Sequence, residues 1–277
     1  MIRLGGYGVP VTSDDPDEIA RAHVAFGYRA AYCPKVAPGD HERIAAIARA
    51  FAAQDVVIAE VPAWRGLLSP DPVARKAARD YVKGQLAIAD EVGARCCATY
   101  IGSLHPGSET APHPLSLSAD GFEACVEAAR DVVDAVKPKR ARFALEMMQW
   151  LLPDSPEVYL DLIRAVDRPG FAAHLDPVNV VTSPRAYYDT TTLLRHCFDL
   201  LGPFIVSCHA KDILNRPEAA LHLDEVPPGQ GVLDYATYLQ LLDDRDIPLM
   251  LEHLEAEQYP AARDYVKSVG GGLGIDM

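Results

Sequence analysis

Four short apolar runs of this sequence each end on a side chain that can bind a metal ion. The runs ARFALE, GFAAHLD, FIVSCH and IPLMLE end on Glu146, Asp176, His209 and Glu252. Three carboxylates crowded together with an imidazole would repel one another strongly unless a cation compensated their charge. The four residue types therefore predict a site for one divalent metal ion, provided that the fold brings the runs together.

The spacing of these residues favours a fold that does so. A single Asp or Glu after a strand is usually the N-cap of the next helix. Consecutive members of this set, however, are 30, 33 and 43 residues apart, close to the roughly 31 residues per strand and helix unit of an eight-unit barrel. Successive barrel strands would deliver all four side chains to one rim.

Oxygen ligands with a single nitrogen and no thiolate favour Mn²⁺, with Mg²⁺, Co²⁺ and Zn²⁺ as the other candidates.

Side chains two residues apart on a strand face the same way, so Lys211 should point at the barrel axis beside His209. The alternative is a surface lysine paired with Asp212. By the same rule His174 lies one layer beneath Asp176, either orienting a ligand or acting as a core histidine.

The elements that must position these residues are eight apolar runs, which alternate with segments whose apolar residues recur at helical spacing. This alternation predicts an α/β fold, a (β/α)8 TIM barrel with residues 1–277 as a single domain. The predicted strands are residues 2–8, 29–33, 56–61, 95–101, 142–146, 171–176, 204–209 and 248–252.

Side-chain caps mark several predicted helix starts, and two loops are longer than a barrel needs. The caps are Ser13 or Asp14, Ser118, and Asp154 or Ser155. Residues 102–117 and 212–232 follow strands, so these loops should lie on the catalytic rim. The glycine-rich residues 270–274 suggest a loose tail.

Composition limits the classes of function. The chain has 277 residues and a net charge of −13, which disfavours nucleic acid and anionic membranes as partners. Its six cysteines lack metal-finger spacing and suggest reduced core thiols. No apolar run approaches the ~20 residues of a membrane span, and the start lacks the layout of a secretion signal. We therefore expect a cytoplasmic protein.

Other polar and aromatic residues at strand ends are candidates for substrate binding. Trp64 and Trp150, like Tyr7 and Tyr100, could stack on the apolar face of a sugar ring or simply pack at the rim. Glu60 could hydrogen-bond substrate hydroxyls or form a salt bridge. Asn179 and His174, in HLDPVN, are further candidates for binding substrate.

Five motifs resemble the sugar phosphate isomerase/epimerase superfamily, the xylose isomerase-like TIM barrels with an AP endonuclease 2-type domain. They are ALE at 144–146, HLDPVN at 174–179, CHAKD at 208–212, PGQG at 228–231 and LEH at 251–253. The resemblance implies that Glu146, Asp176, His209 and Glu252 bind one divalent ion. It also implies that the two glutamates serve as acid and base, and that Arg216 binds substrate.

Departures from the family pattern disfavour two branches of this superfamily. Ketose 3-epimerases place a histidine where this chain has Asn179 and a glutamate where it has Leu152. The sequence HPGS resembles a motif of the endonuclease IV branch, which makes His105 a candidate for binding substrate or a second metal. That branch needs three metals and several more histidines, but this chain has Asn179 and Glu225 where some of those histidines would be.

The predicted activity is metal-dependent isomerisation or epimerisation of an unphosphorylated sugar or keto-sugar, by proton transfer through an enediolate. Glu146 and Glu252 would transfer the proton, and Lys211 would donate to the developing oxyanion. The alternatives are a lyase or dehydratase acting on a keto-inositol or 3-keto-glycoside, a noncatalytic sugar-binding barrel, and a DNA endonuclease. By analogy, a homo-dimer or tetramer is expected.

Overall fold

The structure is a computed structural model that describes all of residues 1–277, and its centre is a parallel eight-stranded barrel. The barrel strands are β1 (Leu4–Gly6), β2 (Ala30–Tyr32), β3 (Val57–Pro62), β4 (Cys96–Thr99), β5 (Arg142–Glu146), β6 (Phe171–Leu175), β7 (Ile205–Ala210) and β10 (Leu249–Leu251). Each overlaps one of the eight predicted strands. The predicted TIM barrel is therefore confirmed.

Neighbouring strands of the barrel are parallel, in the order β1, β10, β7, β6, β5, β4, β3, β2. The two outermost strands approach each other where the backbone N–H of Arg29 donates to the carbonyl of Leu4 at 2.8 Å. All five residues of β6 are buried, as are the residues of β1, β2, β4 and β10. Burial on both faces explains why these strands are continuous apolar runs in the sequence.

Nine α-helices surround the barrel. They are α1 (Pro16–Ala25), α2 (His41–Ala53), α3 (Pro72–Val92), α4 (Ala119–Val136), α5 (Pro156–Val166), α6 (Pro184–Tyr188), α7 (Thr190–Leu201), α8 (Tyr235–Leu242) and α9 (Tyr259–Gly272). Short 3₁₀ turns occupy Pro114–Leu117 and Val178–Val180. None of the helices combines the length and apolar composition that crossing a membrane requires.

Side-chain caps begin these helices largely where the sequence predicted them. Ser118 accepts a hydrogen bond from the N–H of Gly121, and Ser155 accepts one from Val158. The prediction for the first helix was wrong, because Asp15 is its cap and Ser13 instead accepts from the N–H of Asp15. A proline directly after the cap fixes the start of that helix.

Two segments predicted to be irregular are ordered elements. Within residues 212–232, the strands β8 (Asp212–Asn215) and β9 (Leu223–Val226) form an antiparallel hairpin. The glycine-rich end is not a loose tail either, since α9 continues to Gly272 and the N–H of Ile2 donates to the carbonyl of Asp276 at 2.8 Å.

Candidate metal centre

The four predicted metal ligands converge at the carboxyl ends of adjacent barrel strands. Glu146 is the last residue of β5, His209 lies near the end of β7, and Asp176 and Glu252 directly follow β6 and β10. All four are buried, and one ligand atom from each lies within 4.8 Å of the others. The Nδ1 atom of His209 is 3.1 Å from Glu146 Oε1, 3.3 Å from Glu252 Oε1 and 3.6 Å from Asp176 Oδ2.

A buried tyrosine helps to fix the two strands that carry Glu146 and Asp176. The hydroxyl of Tyr159, on α5, lies 2.6 Å from the carbonyl of Leu145 and 2.9 Å from that of Ala172. The same oxygen accepts from the N–H groups of Leu145 and His174 at 2.9 and 3.2 Å. Because every bond involves backbone, the helix holds β5 and β6 together one residue before Glu146.

Lys211 lies inside the cluster and not on the surface. Its side chain is 2% exposed, and Nζ is 2.8 Å from Glu252 Oε1 and 2.9 Å from Asp176 Oδ2. Asp212 points elsewhere and accepts from the backbone N–H groups of Ile213, Gly229 and Leu233. The alternative of a surface lysine paired with Asp212 is therefore wrong.

The charges of the centre stabilise one another strongly. Burial by itself lowers the pKa of Lys211, but the carboxylates of Asp176, Glu146 and Glu252 raise it by more, so the pKa lies well above its usual value. Burial raises the pKa of Asp176, yet the ammonium of Lys211 and the imidazole of His209 hold it well below its usual range. Burial likewise raises the pKa of Glu252, but His209 and then Lys211 lower it below its usual value. The protein thus supplies two cationic groups to the carboxylates.

The donor set fits a divalent ion. With the imidazole of His209 neutral, Glu146, Asp176 and Glu252 contribute three negative charges and Lys211 one positive charge. A dication would neutralise the remainder, and three carboxylate oxygens with one nitrogen are ligands that such ions accept. Lys211 reduces the charge without occupying a position on the ion.

A second buried layer lies beneath these ligands. Glu60 is fully buried; its Oε1 accepts from Ser207 Oγ at 2.6 Å and lies 3.1 Å from His174 Nε2. Of the two predictions for Glu60, burial disfavours contact with substrate hydroxyls, and the contact with His174 agrees with the alternative of a salt bridge. His174 contacts Glu60 and the ring of His209, with ring centroids 4.1 Å apart, so the predicted metal ligand that it borders is His209.

Three rim side chains border the centre. The amide of Asn179 donates to Glu146 Oε1 at 3.3 Å, and the hydroxyl of Tyr32 donates to Glu252 Oε2 at 3.5 Å. The ring of Trp64 lies 6.2 Å from that of His209, and Trp64 stacks on Tyr100. These contacts place Asn179 and Trp64, two of the predicted substrate ligands, at the metal site.

The other predicted substrate ligands lie further out. Trp150 is 53% exposed, and Arg216 is exposed on the hairpin, where it pairs with Asp224. His105 lines a separate cavity of about 280 Å³ with polar neighbours such as Ser103. No hydrogen bond or ion pair joins these three side chains to the four metal ligands.

Two further side chains belong to the centre, although the sequence predicted no role for either. Glu225, on β9, places Oε2 3.4 Å from Lys211 Nζ and Oε1 2.9 Å from His253 Nδ1. His253 Nε2 is in turn 3.2 Å from Glu252 Oε1. The LEH motif pointed to His253, whereas Glu225 lies in a stretch that the sequence predicted to be an irregular loop.

A cavity of about 560 Å³ lies next to the centre. Tyr32, which touches Glu252, forms part of its wall, and Tyr7 stacks on Tyr32 with centroids 4.0 Å apart. Tyr81 and Gln85 of α3 line the far side, together with Lys35. Aromatic faces beside a few polar groups are typical of a small-molecule site.

Comparison with known proteins agrees with this architecture. The model of the xylose isomerase-like TIM barrel family matches residues 20–269. No curated protein matches the chain.

Three solved structures illustrate the range of proteins with this fold. D-psicose 3-epimerase from Clostridium cellulolyticum H10, solved with D-tagatose, has a TM-score of 0.66 at 14% identity, over 97% of this chain and 99% of that one. The probable 3-DHS dehydratase of Bacillus anthracis has a TM-score of 0.69 at 15% identity, over 97% and 98%. Endonuclease IV from Thermus thermophilus has a TM-score of 0.71 at 12% identity, over 98% and 99%.

At these identities the structural similarity shows the fold alone, because epimerase, dehydratase and endonuclease share it. The family model is more informative, since it covers most of the chain and agrees with the motifs found in the sequence. The chain belongs to the xylose isomerase-like TIM barrel family.

Proposed function

We propose that this protein is a divalent-metal-dependent isomerase or epimerase of a keto-sugar. The observation that carries the proposal is the convergence of Glu146, Asp176, His209 and Glu252, all buried and with ligand atoms within 4.8 Å, beside the ammonium of Lys211. A noncatalytic barrel would have no use for three buried carboxylates, which are costly to desolvate.

One ion would be held by these four side chains, and Mn²⁺ is favoured over Mg²⁺, Co²⁺ and Zn²⁺. When bound, such an ion would polarise a carbonyl and the neighbouring hydroxyl of the substrate, and so acidify the C–H bond of the carbon that carries the hydroxyl. Asp176 and His209, the two fully buried members of the set, would act only as ligands.

Glu146 and Glu252 are the proposed acid and base. They lie on β5 and just after β10, which are separated in the barrel by β6 and β7, so they approach the site from different sides. Asn179 holds one oxygen of Glu146, and Tyr32 holds one oxygen of Glu252. One glutamate would remove a proton from carbon, the other would return it, and Lys211 Nζ would donate to the oxygen that becomes negative.

The proposed substrate is an unphosphorylated keto-sugar. The aromatic cavity beside Glu252 suits a sugar ring, and the net charge of −13 disfavours nucleic acid. The epimerase with the same fold was solved with D-tagatose, which supports a substrate of this class. Trp64 and Asn179 would contact the sugar at the centre, and His105, Trp150 and Arg216 would act from the surrounding loops.

The test is incubation of the Mn²⁺-loaded protein with a panel of keto-sugars in D₂O, followed by NMR. We expect deuterium at one carbon of the sugar, with no loss of water or of any other group. Glu146→Gln should lower turnover at least about 10²-fold while the barrel stays folded. The matched control is Glu157→Gln, an exposed glutamate of α5 that pairs with His196. An active Glu146→Gln enzyme would refute the assignment.

The same experiment distinguishes epimerisation from the second candidate activity, elimination by a lyase or dehydratase. A dehydratase shares this fold, and elimination begins with the same proton removal by a glutamate. Loss of water or of an aglycone, in place of retained mass, would identify the protein as a lyase.

A further inference from the structure

A buried carboxylate, that of Glu60, lies behind one of the proposed metal ligands and faces His209 Nε2. We propose that Glu60 positions His209, fixing its proton on Nε2 so that Nδ1 presents a lone pair to the ion, and that Ser207 and His174 hold Glu60 in place. This inference rests on the proposed function, because it concerns the same metal site.

The two nitrogens of His209 face different groups. Nδ1 points at the carboxylates of Glu146 and Glu252, at 3.1 and 3.3 Å. Nε2 points away from them, to Glu60 Oε2 at 3.6 Å. Since only a nitrogen without a proton can bind a metal, the proton of a metal-bound His209 must lie on Nε2.

The two atoms that face each other, His209 Nε2 and Glu60 Oε2, have no other partner. His209 Nε2 and Glu60 Oε2 are both buried without a hydrogen bond. Buried polar groups in folded proteins nearly always have one, so an unpartnered pair 3.6 Å apart calls for an explanation. A shift of about 0.6 Å by either side chain would bring the pair to hydrogen-bond distance.

Glu60 is fixed in a way that reserves its second oxygen for His209. Oε1 accepts from Ser207 Oγ at 2.6 Å and lies 3.1 Å from His174 Nε2. All four side chains are fully buried, and β3 carries Glu60 to this point from the far side of the barrel. A carboxylate behind a metal-binding histidine orients the ring and increases its basicity.

The alternative role for this buried layer is to bind a second cation. Ligand atoms of Glu60, His174 and His209 also lie within 4.8 Å of one another. This set offers one carboxylate, however, and Oε1 of that carboxylate is already engaged by Ser207. One ion per chain, bound above this layer, is therefore the expected stoichiometry.

The test measures metal affinity and the position of the proton. Mn²⁺ binding is titrated by electron paramagnetic resonance in the wild-type protein and in Glu60→Gln, Ser207→Ala and Glu157→Gln. We expect one ion in the wild type, about 10- to 100-fold weaker binding in Glu60→Gln, a smaller loss in Ser207→Ala and none in the exposed control. Circular dichroism checks folding. In the wild-type protein loaded with Zn²⁺, ¹⁵N NMR should show the proton of His209 on Nε2.

The outcomes separate this inference from the proposed function. Wild-type affinity in a folded Glu60→Gln, a proton on Nδ1, or two ions per chain would overturn the positioning role alone. A wild-type protein that binds no ion would overturn both. If Glu60→Gln does not fold, Ser207→Ala decides, because Ser207 Oγ donates to Glu60 Oε1: weaker Mn²⁺ binding supports the positioning role, and wild-type affinity overturns it.

Discussion

Lys211 shows how much of the centre depends on a single side chain. It lies 2.8 and 2.9 Å from Glu252 and Asp176 and 3.4 Å from Glu225, and it is almost fully buried. In the metal-free protein its ammonium supplies charge compensation that a dication would later share. In the proposed reaction it also donates to the developing oxyanion.

Replacing Lys211 with Met separates these two roles. The variant should bind Mn²⁺ at least as tightly, because a competing positive charge is gone, but kcat should fall about 10²- to 10³-fold because an oxyanion donor is lost. Metal titration and kinetics on the identified keto-sugar check this. Lys139→Met, at an exposed lysine, is the control, and an unchanged kcat in Lys211→Met would show that the ammonium has no part in the reaction.

The positions of individual site residues were predictable where a strand ends and not where it continues. Glu146 ends β5 as the sequence predicted, whereas β3 continues to Pro62, so Glu60 lies inside the barrel and faces His209. The sequence pattern shows which face of a strand a residue occupies, but not its depth in the barrel. Glu225 was unpredictable as a partner of Lys211, because only the fold of its hairpin brings it there.

At the scale of elements, the hairpin of β8 and β9 is a part of the rim that reaches the centre directly, through Glu225. Asp212 anchors it, because its carboxylate accepts three backbone N–H groups, including that of Gly229 in PGQG. Gly231 must be glycine, since a Cβ there would lie 2.3 Å from Asp212 Oδ1 and from the carbonyl of Ile213.

We expect Asp212→Asn to lower the free energy of unfolding by about 1–3 kcal/mol, because the amide replaces a charged acceptor of buried N–H groups. Asp224→Asn, on the same hairpin, should leave the free energy of unfolding nearly unchanged, because its pair with Arg216 is solvent-exposed. Urea unfolding of both variants measures the difference. Equal losses would mean that Asp212 does not anchor the loop.

Elements whose local pattern and tertiary environment agree were predictable. The eight barrel strands are buried apolar runs, so hydrophobicity alone marked them. The hairpin was missed because prolines and glycines surround two four-residue strands. The end of α9 was missed because three glycines are poor helix formers, yet Gly270 leaves room for Met277, which would lie 2.5 Å from a Cβ there.

For the molecule as a whole, the charges of the centre make stability depend on pH. Burial lowers the pKa of His209, but the charges of Glu252 and Glu60 raise it well above the ordinary 6.5. A group whose pKa is higher in the folded state stabilises fully below its unfolded pKa, and this stabilisation is lost as pH rises through the folded pKa. The metal-free protein should therefore lose stability above about pH 6.5.

An ion bound in the proposed way would replace that proton, so the increase in Tm caused by Mn²⁺ should be larger at about pH 8 than at about pH 6. Differential scanning calorimetry with and without the ion, at both values, measures this. A metal effect that is the same at both pH values would show that no proton is displaced.

In the proposed function, four side chains from separate strands hold one ion. Equilibrium dialysis against Mn²⁺ followed by metal analysis tests this in the wild-type protein, in Asp176→Asn and in Asp134→Asn, an exposed aspartate that pairs with Arg168. One ion per chain in the wild type and in Asp134→Asn, with weak or no binding in Asp176→Asn, is the predicted result. A wild-type protein that binds no divalent ion, or an Asp176→Asn variant that binds one undiminished, would contradict it.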